Sequence, residues 1–305
     1  MAFVPPTGAV LRRATGADIA ARCTLRKTSL SIVERIAKTE GTTAILKTVH
    51  PALRHEARVH ELAARFRICA ARLLATSAPD EDPAWLLIED LGEDAGKGAL
   101  LPEQIAQALI DLAALHRHYA AESVILYSDI LRCDSAWLEE MRRDLPATFA
   151  HLQRVHGLDI DGQVQRRFDA RLAHLAETLE RYPLTLVHGD FDPGNLARLD
   201  DDRVAAFDWG LGHANVPLVD LAHMIGALDA ENRIPIVAAY LEALDLTDPY
   251  AATSEAAIAR LVELGDQLHK VFFIRWHSRI VVNGWGPAQP YLDTLQNRIL
   301  AIAQT

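Results

Sequence analysis

Cysteine is scarce in this sequence. Cys23, Cys69 and Cys133 are three in 305 residues, widely spaced, and fit neither a disulfide framework nor a zinc pattern. Reduced, packed thiols are expected. Long apolar runs are missing too: none reaches the ~18 residues that a membrane span needs. Basic residues are in deficit, with 31 Lys and Arg against 41 Asp and Glu and a formal net charge of −10. That balance offers no basic patch for nucleic acid or anionic lipid, so neither is expected as a partner. It does not forbid a nucleotide, because a few local cations and bound metal ions can dominate a site. Met1-Ala2-Phe3-Val4-Pro5-Pro6 shows no charged segment followed by an apolar core, so no signal peptide is expected and the cytoplasm is. No Gly-x-Ser-x-Gly elbow and no Gly-x-x-x-x-Gly-Lys phosphate loop occurs. His55 and His60 stand five apart on a helical stretch, off one face, which excludes a zinc-protease helix.

What is present is ordinary globular material: 50% hydrophobic and 24% charged residues, which argues against disorder. The length suits one large domain or two closely joined lobes. Residues 23–25, 31–37 and 43–49 read as short strands, with a Glu40-Gly41 turn between the last two and Pro51 stopping the third. Residues 54–66 read as an amphipathic helix, and 68–75 and 85–91 as further strands. Residues 92–98, rich in Gly and charge, mark a boundary between a lobe at 1–91 and a lobe at 92–305. Helices follow at 102–118, 135–155, 163–182, 217–228, 234–244, 254–282 and 289–303. They are interrupted by a short buried strand at 184–188 and a hairpin of 196–199 with 204–209 around Asp200-Asp201-Asp202.

The chemistry concentrates between residues 184 and 210. A buried strand ends in His188-Gly189-Asp190; a Pro-Gly turn leads to Asn195; the hairpin ends in Phe207-Asp208-Trp209-Gly210. Strand ends and tight turns can converge on one cleft. Asp and Asn supply hard oxygen ligands that suit Mg²⁺, and a second Asp can orient a hydroxyl and accept its proton. Phosphoryl transfer also needs a cation on the phosphates. Lys47, ending the apolar run Ala44-Ile45-Leu46, offers one, with Glu56 placed on the next helix to hold it by an ion pair; Glu61 on that helix competes for the role.

His-Gly-Asp, four residues, Asn, then Asp-Trp-Gly resembles the aminoglycoside phosphotransferase and choline kinase family, small-molecule relatives of the protein kinases. The resemblance implies an α+β, protein-kinase-like two-lobed fold: a small strand-rich N-lobe binding nucleotide and a larger, mostly helical C-lobe for catalysis and the acceptor. It implies transfer of the γ-phosphate of ATP or GTP, with Mg²⁺, to a hydroxyl of a small molecule. Asp190 would be the base, and Asn195 and Asp208 the metal ligands. Lys47, paired with Glu56, would hold phosphates, and the backbone from Glu89 to Leu91 the adenine. His188 and Asp220 would hold the catalytic loop in shape.

One departure stands out. Arg26-Lys27-Thr28-Ser29-Leu30-Ser31, where protein kinases carry a glycine-rich loop, contains no glycine. Hydroxyls of Thr28, Ser29 and Ser31 are the expected substitutes. The acceptor is read less sharply. Asp192 either attracts a cationic acceptor or begins the Asp192-Pro193-Gly194 turn. Phe272, Phe273, Trp276 and Trp285 either pack a helical core or line a pocket, with Trp285, beside Gly284 and Gly286, the better pocket candidate. The rival to an enzyme is a kinase-like nucleotide-binding regulator without turnover, which predicts decay at Lys47, Asp190, Asn195 or Asp208. All four are present.

Overall fold

In the computed structural model, residues 4–69, 71–78, 80–93, 95–97, 100–122, 130–199, 203–226, 228–246, 250 and 254–304 are described. The expected acidic turn Asp200-Asp201-Asp202 lies outside them. The fold class is α+β, as expected. Two compact units make up the chain: residues 1–115 with 190–212, and residues 116–189 with 213–305. The boundary expected at residue 91 falls inside the first unit.

The first unit opens with helix α1 (Gly8–Thr15), capped by Thr7 and ended by Gly16 in the left-handed region. The strands β1 (Ile19–Lys27), β2 (Ser31–Lys38), β3 (Thr43–Val49), β4 (Leu73–Thr76) and β5 (Ala84–Glu89) form one antiparallel sheet in the order β1-β2-β3-β5-β4. Pairing is regular from β2 to β3 and from β3 to β5, with Val33 opposite Lys47, Arg35 opposite Ile45, and Ile45 opposite Ile88. Because side chains alternate along a strand, each opposed pair shares a face. Ile36, Ala44, Leu46, Trp85 and Leu87 point to one face and close a core with Leu11 of α1. Burying each of the isoleucine and leucine side chains among them contributes about 1.5–3 kcal/mol. Val33, Arg35, Ile45 and Lys47 point to the other face.

Helix α2 (Glu56–Ala63) follows β3 after a short 3-10 turn that begins at Pro51. Residues 68–75 were expected as a strand, but only Leu73–Thr76 pair. Ile68 and Cys69 instead bridge to Ala206, in a hairpin of β7 (Leu196–Arg198) and β8 (Val204–Ala206), numbered after β6 below. Helix α3 (Pro102–Ala121) contains the division between the units.

The second unit is mostly helical: α4 (Ser135–His156), α5 (Gly162–Leu179), α6 (Leu218–Ile225), α7 (Ala230–Leu244), α8 (Glu255–Val282) and α9 (Ala288–Gln304). Its one described strand pair joins β6 (Thr185–Val187) to β9 (His213–Asn215). Helix starts follow side-chain chemistry, with Asp134, Asp161 and Ser254 accepting from first-turn N–H groups of α4, α5 and α8. Among the described residues no helix is long and apolar enough to cross a membrane.

Candidate active site

Three short pieces of the first unit build the site. The first is the buried ammonium of Lys47. Its Nζ donates to Glu56 Oε1 at 2.6 Å and to Asp208 Oδ1 at 2.5 Å. The ion pair expected from sequence between Lys47 and Glu56 is therefore formed, and Glu61 pairs with Arg58 instead. Burial works against the ammonium, but the charges of Asp208 and Glu56 outweigh it and hold Lys47 above its ordinary value. Burial pushes the Glu56 carboxyl up to about 7 against the pull of Lys47. Its second oxygen, Oε2, is buried without a partner. Gly210, in the turn after Asp208, allows this approach: a Cβ there would stand 3.0 Å from Glu56 Oε2.

The second piece is the β7–β8 hairpin. Its register sets Leu196 opposite Ala206, so Asn195 and Asp208 flank the same end. Asn195 O accepts from Phe207 N at 3.0 Å, which fixes that end. The Asn195 side chain donates from Nδ2 to Asp190 O at 2.8 Å and to Asp190 Oδ2 at 3.0 Å. Asp208 holds φ 62° and ψ 59°, a left-handed conformation that a non-glycine residue rarely adopts. Such strain concentrates where a side chain must be aimed. Asp192 Oδ1 accepts from Gly194 N at 2.6 Å, so Asp192 does begin the turn that carries Asn195.

The third piece is a cavity of about 430 Å³. Val33 and Ile45 line it from the sheet, Phe207 from the loop, and Glu89, Asp90 and Leu91 from the chain leaving β5. Leu25 also lines it; a register shift between Thr24 and Arg26 leaves Leu25 without an opposite residue. Two features here escaped the sequence reading. Arg35 grips Asp90 with two nitrogens, Nε to Oδ2 at 2.7 Å and Nη2 to Oδ1 at 3.1 Å. Gly96, at φ +73°, donates its N–H to Leu196 O, and a Cβ on it would clash with Gly194 O. The strand alternation that put Val33 and Lys47 on one face was the available signal for Arg35. Ser29 lies in the β1–β2 turn and Ser31 begins β2, and neither lines the cavity. Thr28 Oγ1 is taken up by that turn, accepting from Leu30 N and Ser31 N.

The second unit holds the residues before Asp190. Asp220, fully buried, accepts from His188 N at 2.7 Å on Oδ2 and from Gly189 N at 2.8 Å on Oδ1. Its Oδ2 also meets His116 Nε2 at 3.3 Å. Burial alone would raise the Asp220 carboxyl; His116 and the backbone N–H of His188 bring it below its ordinary value. Trp276 lines a separate cavity of the second unit, and the Trp285 ring lies 6.3 Å from it, centroid to centroid.

The residues brought together in the first unit are the parts a phosphoryl-transfer site needs: an apolar slot for a base, a paired lysine, a carboxylate, and hard oxygen donors at one hairpin end. Comparison with known proteins points the same way. No curated protein gives a significant match. Among solved structures, a fructosamine-3-kinase by assignment from Thermobifida fusca YX-ER1 is 18% identical, with 99% of this chain and 100% of that chain covered and a TM-score of 0.65. Choline kinase LicA from Streptococcus pneumoniae is 14% identical over 97% and 99%, TM-score 0.65. A spectinomycin phosphotransferase complexed with ADP and spectinomycin is 12% identical over 98% and 96%, TM-score 0.61. These likenesses show the fold, that of protein-kinase-like phosphotransferases. The profile of the phosphotransferase enzyme family matches residues 32–256, and the chain belongs to that family, an enzyme family of small-molecule kinases.

Proposed function

We propose that the protein transfers the γ-phosphate of ATP or GTP to a hydroxyl of a small molecule, in the cytoplasm, where its three unpaired thiols would stay reduced. The observation that carries this is the hairpin end. Asn195 binds Asp190, Phe207 lines the cavity, and Asp208 meets Lys47, all within one compact unit. The base would lie between Val33 and Ile45 on one side and Phe207 on the other, hydrogen-bonded to backbone from Glu89 to Leu91. Lys47 would shift toward the phosphates, held by Glu56, with Ser29 and Ser31 covering them in place of a glycine-rich loop.

Asn195 Oδ1 and the Asp208 carboxylate are hard oxygen donors of the kind Mg²⁺ takes together with phosphate and water, so the donor set fits that ion. Bound there, Mg²⁺ would neutralise charge on the transferring phosphate. Asp190 is the base in this reading. The acceptor hydroxyl gives its proton to the carboxylate as the new oxygen–phosphorus bond forms and the bond to the nucleoside diphosphate breaks. The amide of Asn195 fixes the rotamer of Asp190, and Asp220 fixes the two residues before it.

The test is nucleoside triphosphate consumption with a hydroxylated acceptor panel, for wild type and Asp190→Asn. Losing the base should cost about 10²–10⁴ in rate with nucleotide affinity kept. An Asp190→Asn rate equal to wild type overturns the assignment, and affinity without turnover in wild type favours the regulatory alternative.

A further inference from the structure

Besides its apolar residues, the slot of the first unit is lined by three acidic ones, Glu89, Asp90 and Glu93. A free carboxylate in such a wall would bear on which base enters. The ring N–H and the 2-amino group of guanine are adjacent donors, and one carboxylate can accept from both. Adenine instead offers an acceptor and a donor on that edge, a pattern that backbone N–H and C=O groups answer.

Each of the three is engaged. Glu89 ends β5, and strand alternation carries its side chain to the face opposite that of Ile88, where Oε2 accepts from Arg72 N at 3.4 Å. Glu93, 83% exposed, is met at Oε1 by Arg35 Nη1 at 3.2 Å. Asp90 is the buried one, its side chain 7% exposed. Arg35 holds both of its oxygens, Gly92 N donates to Oδ1 at 3.0 Å, and the Thr43 hydroxyl supplies a fourth hydrogen bond. An ionised carboxylate has about four lone-pair sites, so the set is full. Burial alone would raise the Asp90 carboxyl; Arg35, Gly92 N and Thr43 bring it below its ordinary value. Asp90 thus stays ionised in the wall of the slot with its accepting capacity used up. Arg35 reaches it from β2, opposite Ile45 and therefore on the slot face. Removing that guanidinium would reopen two of the four sites on Asp90 and release Glu93.

We propose that Arg35 sets the choice of donor base: by occupying Asp90 and Glu93 it leaves the donors of guanine unanswered, and the slot selects adenine nucleotides. This rests on the phosphotransferase reading above and deepens it at the donor. Guanine is rejected by unpaired polar groups rather than by a clash. Arg35 acts through Asp90 and is a positioning residue. A role confined to tying β2 to the chain leaving β5 would weaken every nucleotide alike, so the ratio between bases separates the two roles.

The test is calorimetry with ADP, GDP and inosine diphosphate in the presence of magnesium chloride. Wild type should bind ADP about ten-fold tighter than GDP, or more. Arg35→Met should bring that ratio to about three-fold or less, with GDP gaining more than inosine diphosphate, whose base lacks the 2-amino group. Arg35→Met/Asp90→Leu should restore the preference for ADP, because the buried acceptor is gone. Arg35→Lys keeps the charge but not the two-nitrogen grip, so its ratio should lie between those of wild type and Arg35→Met. Equal binding of ADP and GDP by wild type overturns the proposal. So does an unchanged ratio in Arg35→Met (or in Arg35→Lys, where the methionine variant does not fold), or a ratio that stays relaxed in the double variant. Those outcomes leave the phosphotransferase reading standing, since either nucleotide can donate. Binding of none of the three by wild type overturns that reading, and the role of Arg35 with it.

Discussion

Replacing Lys47 by methionine should make the stability of this protein fall with pH in a range where the wild type is level. Lys47 and Glu56 side chains are 8% and 3% exposed, so solvent screens their interaction little. In the wild type, Glu56 titrates near 7 when folded against an ordinary 4.5. The folded state then holds the proton more tightly than the unfolded chain. Stability therefore declines as pH rises from about 4.5 to about 7 and levels off above. Lys47, held above 10.5, keeps its own contribution below that value and loses none of it by pH 9. In Lys47→Met the charge that kept Glu56 ionised is gone, and its folded value rises beyond 7. The decline continues, at about 1.4 kcal/mol per pH unit. Between pH 7 and 9 the gap to wild type should widen by up to about 2.7 kcal/mol, which is about 5 °C in Tm at roughly 2 °C per kcal/mol. Thermal unfolding of both proteins at pH 6, 7, 8 and 9 reads the gap. The double variant Lys47→Met/Glu56→Gln should lose the extra slope. A gap that is constant from pH 6 to 9, or a slope that survives in the double variant, refutes the reasoning.

Two further outcomes follow from close packing around the loop. Gly96→Ala should cost about 1–2 kcal/mol for its left-handed backbone, before the clash with Gly194 O is counted. It should also lower kcat about ten-fold, by displacing the residue next to Asn195; wild-type turnover in this variant would show that the contact is dispensable. Asp220→Asn exchanges an acceptor oxygen for an NH₂ group that faces donors. With two backbone N–H groups and His116 on that carboxylate, a loss of about 3 kcal/mol is expected in denaturant unfolding, and a loss under 1 kcal/mol would contradict its positioning role.

The sequence was most readable where elements are long or chemically punctuated. Residues 135–155 and 254–282 carry many helical repeats and lie within a residue or so of α4 and α8. Pro51, Gly41 and the Asp192-Pro193-Gly194 turn announced themselves through backbone chemistry. Elements below about four residues did not. His213–Asn215 is too short to show alternation, and its pairing with β6 is fixed by long-range contact. Helix α1 was missed because Arg12 and Arg13 mask the single buried residue, Leu11. In the candidate site, motif spacing brought Lys47 to Glu56 and Asn195 to Asp190. The grip of Arg35 on Asp90 joins residues 55 apart in sequence, and only the sheet register brings them together.

That register also ties the site to the core. Along β3, Ala44 and Leu46 belong to the core while Ile45 and Lys47 face the site, and along β5 Trp85 and Leu87 are core while Ile88 lines the cavity. The alternation has a period of two, so a one-residue slip of β3 would put the ammonium of Lys47 into the apolar layer and Leu46 opposite Glu56. An unpaired buried cation costs several kcal/mol, which opposes that slip together with the apolar pattern of β3. The ion pair of Lys47 with Glu56 and Asp208 thereby selects the register that also builds the slot of Val33, Ile45 and Phe207. Substitutions at Leu46 or Leu87 should accordingly act on the site through the placement of Lys47, although neither side chain lines the cavity.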